Sequence, residues 1–185
     1  MTMQANEKLK AQIMDEAAMN RTLIRLSHEI IERRQGASDL VFVGLIRRGV
    51  TLARRLSSHI EKIEGVTVPV GMLDICFHRD DRKGPLDEPI VSCTDIPFDI
   101  NGKTVVLVDD VICTGRSIRA AFDALFEKGR PAAITLAVLI DRGLRELPIK
   151  PDYVGKNIPT SHRERVSVRV KEIDGEDSVS IVESN

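Results

Sequence analysis

Four apolar residues, Val105 to Val108, run directly into two adjacent carboxylates, Asp109 and Asp110, and a helical pattern begins at Ser117. An apolar run without polar alternation reads as a strand covered on both faces, the condition of a parallel sheet flanked by helices. Two neighbouring carboxylates are costly inside such a sheet, so the strand must deliver them to its carboxyl end, where a crevice or a ligand satisfies them. The segment VVLVDDVICTGRS thus calls for a layered α/β architecture around a central strand, with Thr114-Gly115-Arg116-Ser117 at a strand-to-helix turn.

The flanking chain repeats the alternation. Met14 to Arg34 carries Met19, Leu23, Leu26, Ile30 and Ile31 at helical spacing, with Gly36 as a stop, and Leu40 to Val43 reads as a buried strand. Leu52, Leu56, Ile60 and Ile63 mark a second helix closed by Gly65, and Val66, Val68, Val70 and Met72 alternate as a strand does. Ser117 to Lys128 is a third helix and Ala132 to Ile140 a further strand. Val166, Val168 and Val170 alternate with polar residues, the pattern of an edge strand. Strands alternating with helices predict an open, mostly parallel sheet flanked by helices, in one domain spanning residues 1–185. The polar stretch His78 to Pro89, punctuated by Gly84 and Pro85, reads as a long functional loop.

Composition narrows the function. With 42% apolar and 30% charged residues in 185, the chain supports one substantial core. Its apolar runs fall short of the roughly 20 residues that span a bilayer. The polar N-terminus lacks a secretory pattern, so a cytoplasmic protein without a membrane partner is expected. Cys76, Cys93 and Cys113 are an odd number without CxxC spacing, which indicates neither a disulfide framework nor a zinc site. Net charge is −1 and aromatic content 3%, with no Trp, which disfavours a base-stacking platform.

At Thr114 to Ser117, unpaired backbone N–H groups and the positive end of a helix attract an anion, and phosphate is the natural one. Gly115 permits close approach, Thr114 and Ser117 add hydroxyl donors, and Arg116 either adds charge or faces solvent. Ribose hydroxyls or a metal would satisfy Asp109 and Asp110. A plainer reading has the two carboxylates capping the loop and Thr114 capping the helix. No GKS, GKT or GxGxxG occurs, so neither a P-loop nor a dinucleotide fingerprint is present.

The order of apolar run, acidic pair and TGRS resembles the phosphoribosyl pyrophosphate (PRPP) motif of type I phosphoribosyltransferases. That resemblance implies their α/β fold with a mobile hood loop. It makes Val105, Val106, Leu107, Val108, Asp109, Asp110, Val111, Ile112, Cys113, Thr114, Gly115, Arg116 and Ser117 the PRPP-binding segment. Thr114 to Ser117 would hold the 5′-phosphate, and Asp109 and Asp110 the ribose hydroxyls. Gly44 to Gly49 stands where the family has its pyrophosphate loop, with Arg47, Arg48 and Gly49 facing the leaving group. Asp109, Asp110 and Arg48 are the candidate catalytic residues. Purine enzymes usually carry an Asp immediately before the Thr-Gly pair. Here Cys113 stands there, and a thiol cannot play that hydrogen-bonding role, which favours a pyrimidine acceptor.

A narrower resemblance rests on DEP at 87–89, VLIDRG at 138–143, RELPI at 145–149 and DYVGKNIPTS at 152–161. These runs are similar to the family of bifunctional pyrimidine operon regulators with uracil phosphoribosyltransferase activity, from about Ile13 to Glu183. Residues 1–12 lie outside it and are expected to be a flexible extension. The resemblance implies conversion of uracil and PRPP to UMP and diphosphate, with Mg2+ arriving on PRPP and no metal held by the protein alone. It makes Tyr153, Val154 and Gly155 candidate uracil contacts, although Tyr153 reads equally well as a core residue, and it places Arg79, Asp80 and Asp81 in the hood.

The same family binds a stem-loop of pyrimidine operon mRNA, more tightly with UMP or UTP. Arg21, Arg25 and His28 share a helix face, and Arg142, Arg145, Lys150 and Lys156 add positive charge, so these are the candidate RNA contacts. An ordinary solvated face, with Arg25 paired to Glu29 and Arg145 to Glu146, is the plainer alternative. A homodimer or higher homo-oligomer is expected. Two rival functions stay open: a salvage enzyme without RNA binding, and an RNA-binding regulator with little turnover.

Overall fold

The computed structural model of the protein describes residues 7–75 and 93–184. Its main sheet is built from the uninterrupted apolar runs. β2 (Leu40–Leu45) is buried along its whole length, and β4 (Thr104–Ile112) and β5 (Ala133–Asp141) are buried through most of theirs. With β3 (Val70–Leu73) and β6 (Tyr153–Asn157) they form a five-stranded parallel sheet in the order β3-β2-β4-β5-β6. The strand that opened the sequence argument is therefore central. It runs further than the apolar residues alone indicate, taking Asp109 and Asp110 into its last turn of pleat.

Helices cover both faces, as a sheet apolar on both sides requires. α1 (Glu16–Arg34) and α2 (Arg48–Glu64) pack on one face, where Met19, Leu23, Leu26, Ile30, Leu52, Leu56 and Ile60 meet Phe42, Val106 and Val108. α3 (Arg116–Lys128) packs on the other, where Ile118, Ala121 and Leu125 meet Val105, Leu107 and Val138. α1 begins two residues later than its apolar pattern: the Asp15 side chain accepts the Ala18 N–H at 2.7 Å and caps it. α2 closes at Gly65 with φ +70°, the left-handed cap anticipated there. Of the alternation Val66 to Met72, only the second half becomes strand. Pro69 has no N–H for a ladder, and β3 starts immediately after it.

A second, three-stranded antiparallel sheet has the order β1-β8-β7, from β1 (Glu7–Met14), β7 (Glu164–Arg169) and β8 (Ser178–Ser184), with α4 (Lys171–Asp174) between the last two. β7 is an edge strand, as its alternation predicts, although of this smaller sheet. For residues 7–12, β1 takes the place of the flexible extension expected over 1–12. From Glu7 onward the chain pairs with β8, and the Lys10 ammonium forms an ion pair with Glu164 of β7. The hood residues Arg79, Asp80 and Asp81 lie outside the described residues. No described helix is long and apolar enough to cross a membrane.

Candidate active site

In a parallel sheet all strands end on the same side, so register fixes what meets at the crevice. Gly44, Val108, Ala137 and Tyr153 are aligned across β2, β4, β5 and β6. One step nearer the carboxyl edge, Asp109 is level with Val138 and Val154. The acidic pair therefore emerges at the middle of the edge, and Val154 lies two strands away, about 10 Å at ordinary strand spacing.

Two helices start beside this pair, and neither caps itself. α2, following the β2 loop, and α3, following the β4 loop, have no side-chain cap and no acidic residue in their first turns. α1 starts elsewhere and has both, in Asp15 and Glu16. The positive ends of α2 and α3 are thus left without an acidic residue or an N-cap side chain, a condition that favours binding anions. The plainer reading of Thr114 as a helix cap holds in part: the N-cap position of α3 is Gly115 at φ +91°, but the Thr114 hydroxyl accepts the N–H of Arg116, the first residue of the helix, at 3.3 Å.

The α2 loop is held tightly against the acidic strand. A Cβ on Gly49 would stand 2.4 Å from the Val108 carbonyl oxygen, an approach that only glycine permits. The preceding Ile46–Arg47 peptide is cis. Arg47 is exposed and has no ion pair among the described residues. Arg48 turns its guanidinium to Asp174 of α4, with Nη2 2.8 Å from Oδ1 and Nε 3.0 Å from Oδ2. Asp174 is a site neighbour with no local sequence signal, since it lies in α4, between two strands of the smaller sheet and 126 residues along the chain.

Asp109 Oδ1 accepts the Asp110 N–H and Asp110 Oδ1 accepts the Val111 N–H, both at 2.9 Å. One oxygen of each carboxylate is engaged in this way, as the capping alternative supposes. Burial pushes the Asp110 carboxyl above the ordinary carboxylate range, against the opposing pull of the Arg48 charge. A raised carboxylate at a strand end between two anion-accepting helix starts is a mark of a functional position. Among the described residues, no group of three or more His, Cys, Asp or Glu is arranged to hold a metal ion.

The other candidates divide. The Tyr153 side chain is fully buried on the α1 face, with Arg33 5.5 Å over its ring and its hydroxyl unpartnered. It faces the core and not the crevice, so a contact to a base from this position must come from backbone. The Val154 and Gly155 carbonyls both accept from Arg25 Nη2, at 3.0 and 2.7 Å.

Arg21, Arg25 and Lys156 line one open depression of about 310 Å³ between α1 and β6, and His28 and Lys150 are exposed elsewhere. Arg142 is drawn inward, with Nε donating to the Thr160 hydroxyl at 2.9 Å and Nη2 to the Glu164 carbonyl at 2.7 Å. Arg145 pairs with Asp141 at 2.6 Å instead of its neighbour Glu146, whose carboxylate meets Arg116 Nε at 2.7 Å. Two of the seven basic candidates for an RNA face thus serve the fold.

Comparison with known proteins agrees with this fold. The phosphoribosyl transferase domain family matches residues 10–172. The bifunctional protein PyrR of Pelotomaculum thermopropionicum is 60% identical over 95% of this chain and 97% of its own. That of Clostridioides difficile is 57% identical over 94% and 98%. Among solved structures, the hypoxanthine phosphoribosyltransferase of Trypanosoma cruzi superposes with a TM-score of 0.73 at 17% identity, covering 96% of this chain and 98% of that one. A hypoxanthine-guanine phosphoribosyltransferase of Bacillus anthracis gives 0.70 at 20%, over 96% and 99%. At such identities these two structures speak to the fold alone.

Proposed function

Since this chain belongs to the phosphoribosyltransferase family, and within it to the PyrR proteins, we propose that it joins uracil to the ribose 5-phosphate of PRPP, forming UMP and diphosphate, and that it binds pyrimidine operon mRNA to attenuate transcription. The observation that carries the catalytic half is the acidic pair Asp109-Asp110 on the central strand, between two helix starts that have no acidic residue in their first turns.

The residues divide the substrate between them. The α3 start, Thr114 to Ser117, takes the 5′-phosphate on backbone N–H groups and hydroxyls. Asp109 and Asp110 hold the ribose hydroxyls, and their charge opposes the positive charge that grows on the ribose as the bond from C1 to diphosphate breaks. The α2 start, with Arg47 and Arg48, takes the diphosphate and stabilises it as it leaves. Holding the uracil nitrogen in line with C1 supplies most of the acceleration: the N–C1 bond forms as the C1–O bond to diphosphate breaks, the N–H proton passes to solvent, and no covalent nucleophile is needed. Backbone groups near Val154 and Gly155 are the base-site candidates. Mg2+ would arrive with PRPP; the hard oxygens of Asp109 and Asp110 are the groups that would help hold it, and it would supply neutralisation of leaving-group charge.

For RNA, the depression lined by Arg21, Arg25 and Lys156 is the candidate surface, with His28 and Lys150 as flanking charges. Binding to a nascent transcript places the protein in the cytoplasm, and a homodimer would double the basic area. UMP formation from uracil, PRPP and Mg2+ tests the enzyme. Filter retention of the operon stem-loop with and without UMP tests the regulator. UMP formation without UMP-dependent retention would leave a salvage enzyme, and the converse a regulator with little turnover.

A further inference from the structure

Arg145 stands in the connection between β5 and β6, and its half-buried guanidinium is spent almost entirely on nearby chain. Nη2 donates to Asp141 Oδ2 at 2.6 Å, Nη1 to the carbonyls of Cys113 at 2.8 Å and Gly143 at 3.2 Å, and Nε to the carbonyl of Ile149 at 2.8 Å. Four of the five N–H donors of a guanidinium are occupied. The same connection reaches the phosphate loop twice more, because the N–H groups of Glu146 and Leu147 both donate to the Thr114 carbonyl, at 3.0 and 3.1 Å.

These bonds set the direction of the loop's amides. In a planar trans peptide the N–H points opposite to the C=O. Drawing the Cys113 carbonyl toward Arg145 turns the Thr114 N–H the other way, and drawing the Thr114 carbonyl toward Glu146 and Leu147 does the same for the Gly115 N–H. The connection also backs the loop sterically: a Cβ on Gly115 would stand 3.5 Å from the side chains of Leu147 and Ile149. Carbonyl oxygens would repel an anion, so the face away from this backing is the one on which phosphate is received.

We propose that Arg145 is a positioning residue for the phosphate subsite: it clamps the carbonyl side of the loop so that the Thr114 and Gly115 amides stay aimed at the 5′-phosphate of PRPP or UMP. The inference rests on the phosphoribosyltransferase reading above. It moves Arg145 from the RNA face to the catalytic crevice, where it acts through the loop without touching the nucleotide.

Affinities for UMP and for uridine, which differ by the 5′-phosphate alone, isolate this role. In Arg145→Met the preference for UMP over uridine should fall about tenfold or more, as expected when charge-assisted hydrogen bonds are lost, with uridine affinity unchanged. The KM for PRPP should rise by a similar factor while the KM for uracil stays put. Arg145→Lys keeps the charge beside Asp141 but lacks the fork, so it should show the same selective loss and serves if the Met variant fails to fold. A folded variant of either kind that keeps the wild-type preference for UMP overturns the inference alone. A wild-type protein that binds UMP no tighter than uridine overturns the phosphoribosyltransferase reading, and the inference with it.

Discussion

Arg48 at the start of α2 grips Asp174 of α4 with two ends of its guanidinium fork, at 2.8 and 3.0 Å, and so ties the proposed diphosphate side of the crevice to α4, between two strands of the smaller sheet. The Asp174 side chain is 6% exposed and also accepts the Val170 N–H at 2.9 Å. Burial, the largest single influence, pushes its carboxyl up, yet the Arg48 hydrogen bonds, the Val170 N–H and the Arg48 charge together outweigh it and hold the group below the ordinary 3.8. Removing the arginine would strand a buried carboxylate. Arg48→Ala should therefore cost about 2 kcal/mol of stability and, with one diphosphate contact gone, raise the KM for PRPP roughly tenfold. Urea denaturation and steady-state kinetics measure the two effects. The stability lost should be greatest above pH 4 or so and fade as acid protonates Asp174, because a depressed carboxyl stabilises only while ionised.

Asp110 has the opposite sign. Burial raises its carboxyl above the unfolded value of 3.8, so ionised Asp110 destabilises the fold, and that penalty grows as pH rises through the folded-state value. Asp110→Asn should accordingly melt at a higher temperature than wild type at pH 7, with the advantage vanishing at low pH, while turnover falls by about 100-fold or more. Calorimetric scans between pH 3 and 8 and a UMP assay check both halves. A variant that is less stable at pH 7 would remove the account of Asp110 as a charge kept for ligand.

Glu164 of β7 reports on the attachment of β1. Lys10 of β1 forms an ion pair with it, the Ser161 N–H donates to it at 2.7 Å, and together they hold its carboxyl down at about 2. A depressed carboxyl adds stability above its unfolded value of 4.5 that disappears as pH falls toward 2. Glu164→Gln should be less stable than wild type at neutral pH and match it near pH 2, and amide exchange along β1 should accelerate in the variant at pH 7. Equal exchange rates would mean that backbone pairing with β8 alone secures the strand.

Much of this architecture was legible because burial writes itself into a parallel strand: Leu40 to Val43 and Val105 to Val108 admit no half-exposed reading. The candidate phosphate loop was legible for a related reason, since Gly115 and its hydroxyl neighbours at a strand-to-helix turn mark where a helix begins without an acidic residue. β1 was overlooked although Leu9, Ala11 and Ile13 alternate with Lys8, Lys10 and Gln12. That alternation is faint because Leu9 remains 56% exposed. The partners of Arg48 and Arg145 were not legible at all. Ion pairs across 126 residues, and carbonyls drawn to one guanidinium, depend on how the chain returns and carry no local pattern. Tyr153 stayed open between core and base contact because one aromatic residue looks the same on either face of a strand, and its burial settles the side chain for the core.

The RNA surface yields the last prediction, and its logic is one of which cations are free. Arg142 and Arg145 donate to the Glu164 and Cys113 carbonyls, whereas Arg21 and Lys156 stand exposed around the depression beside Gly155. A cation that neutralises one phosphate releases its counterions, so Arg21→Ala and Lys156→Ala should each lower the slope of log affinity against log salt by about 1 and weaken all RNA sequences alike. Arg25 is intermediate, because it already holds the Val154 and Gly155 carbonyls. Arg25→Ala should reduce the salt slope less while also altering uracil KM, since it frees the backbone of the proposed base site. Retention of the stem-loop across a salt series, at saturating UMP, measures each slope. If Arg142→Ala lowered the slope as much as Arg21→Ala does, the basic residues bound within the fold would have to open toward RNA, and the depression would lose its standing as the contact surface.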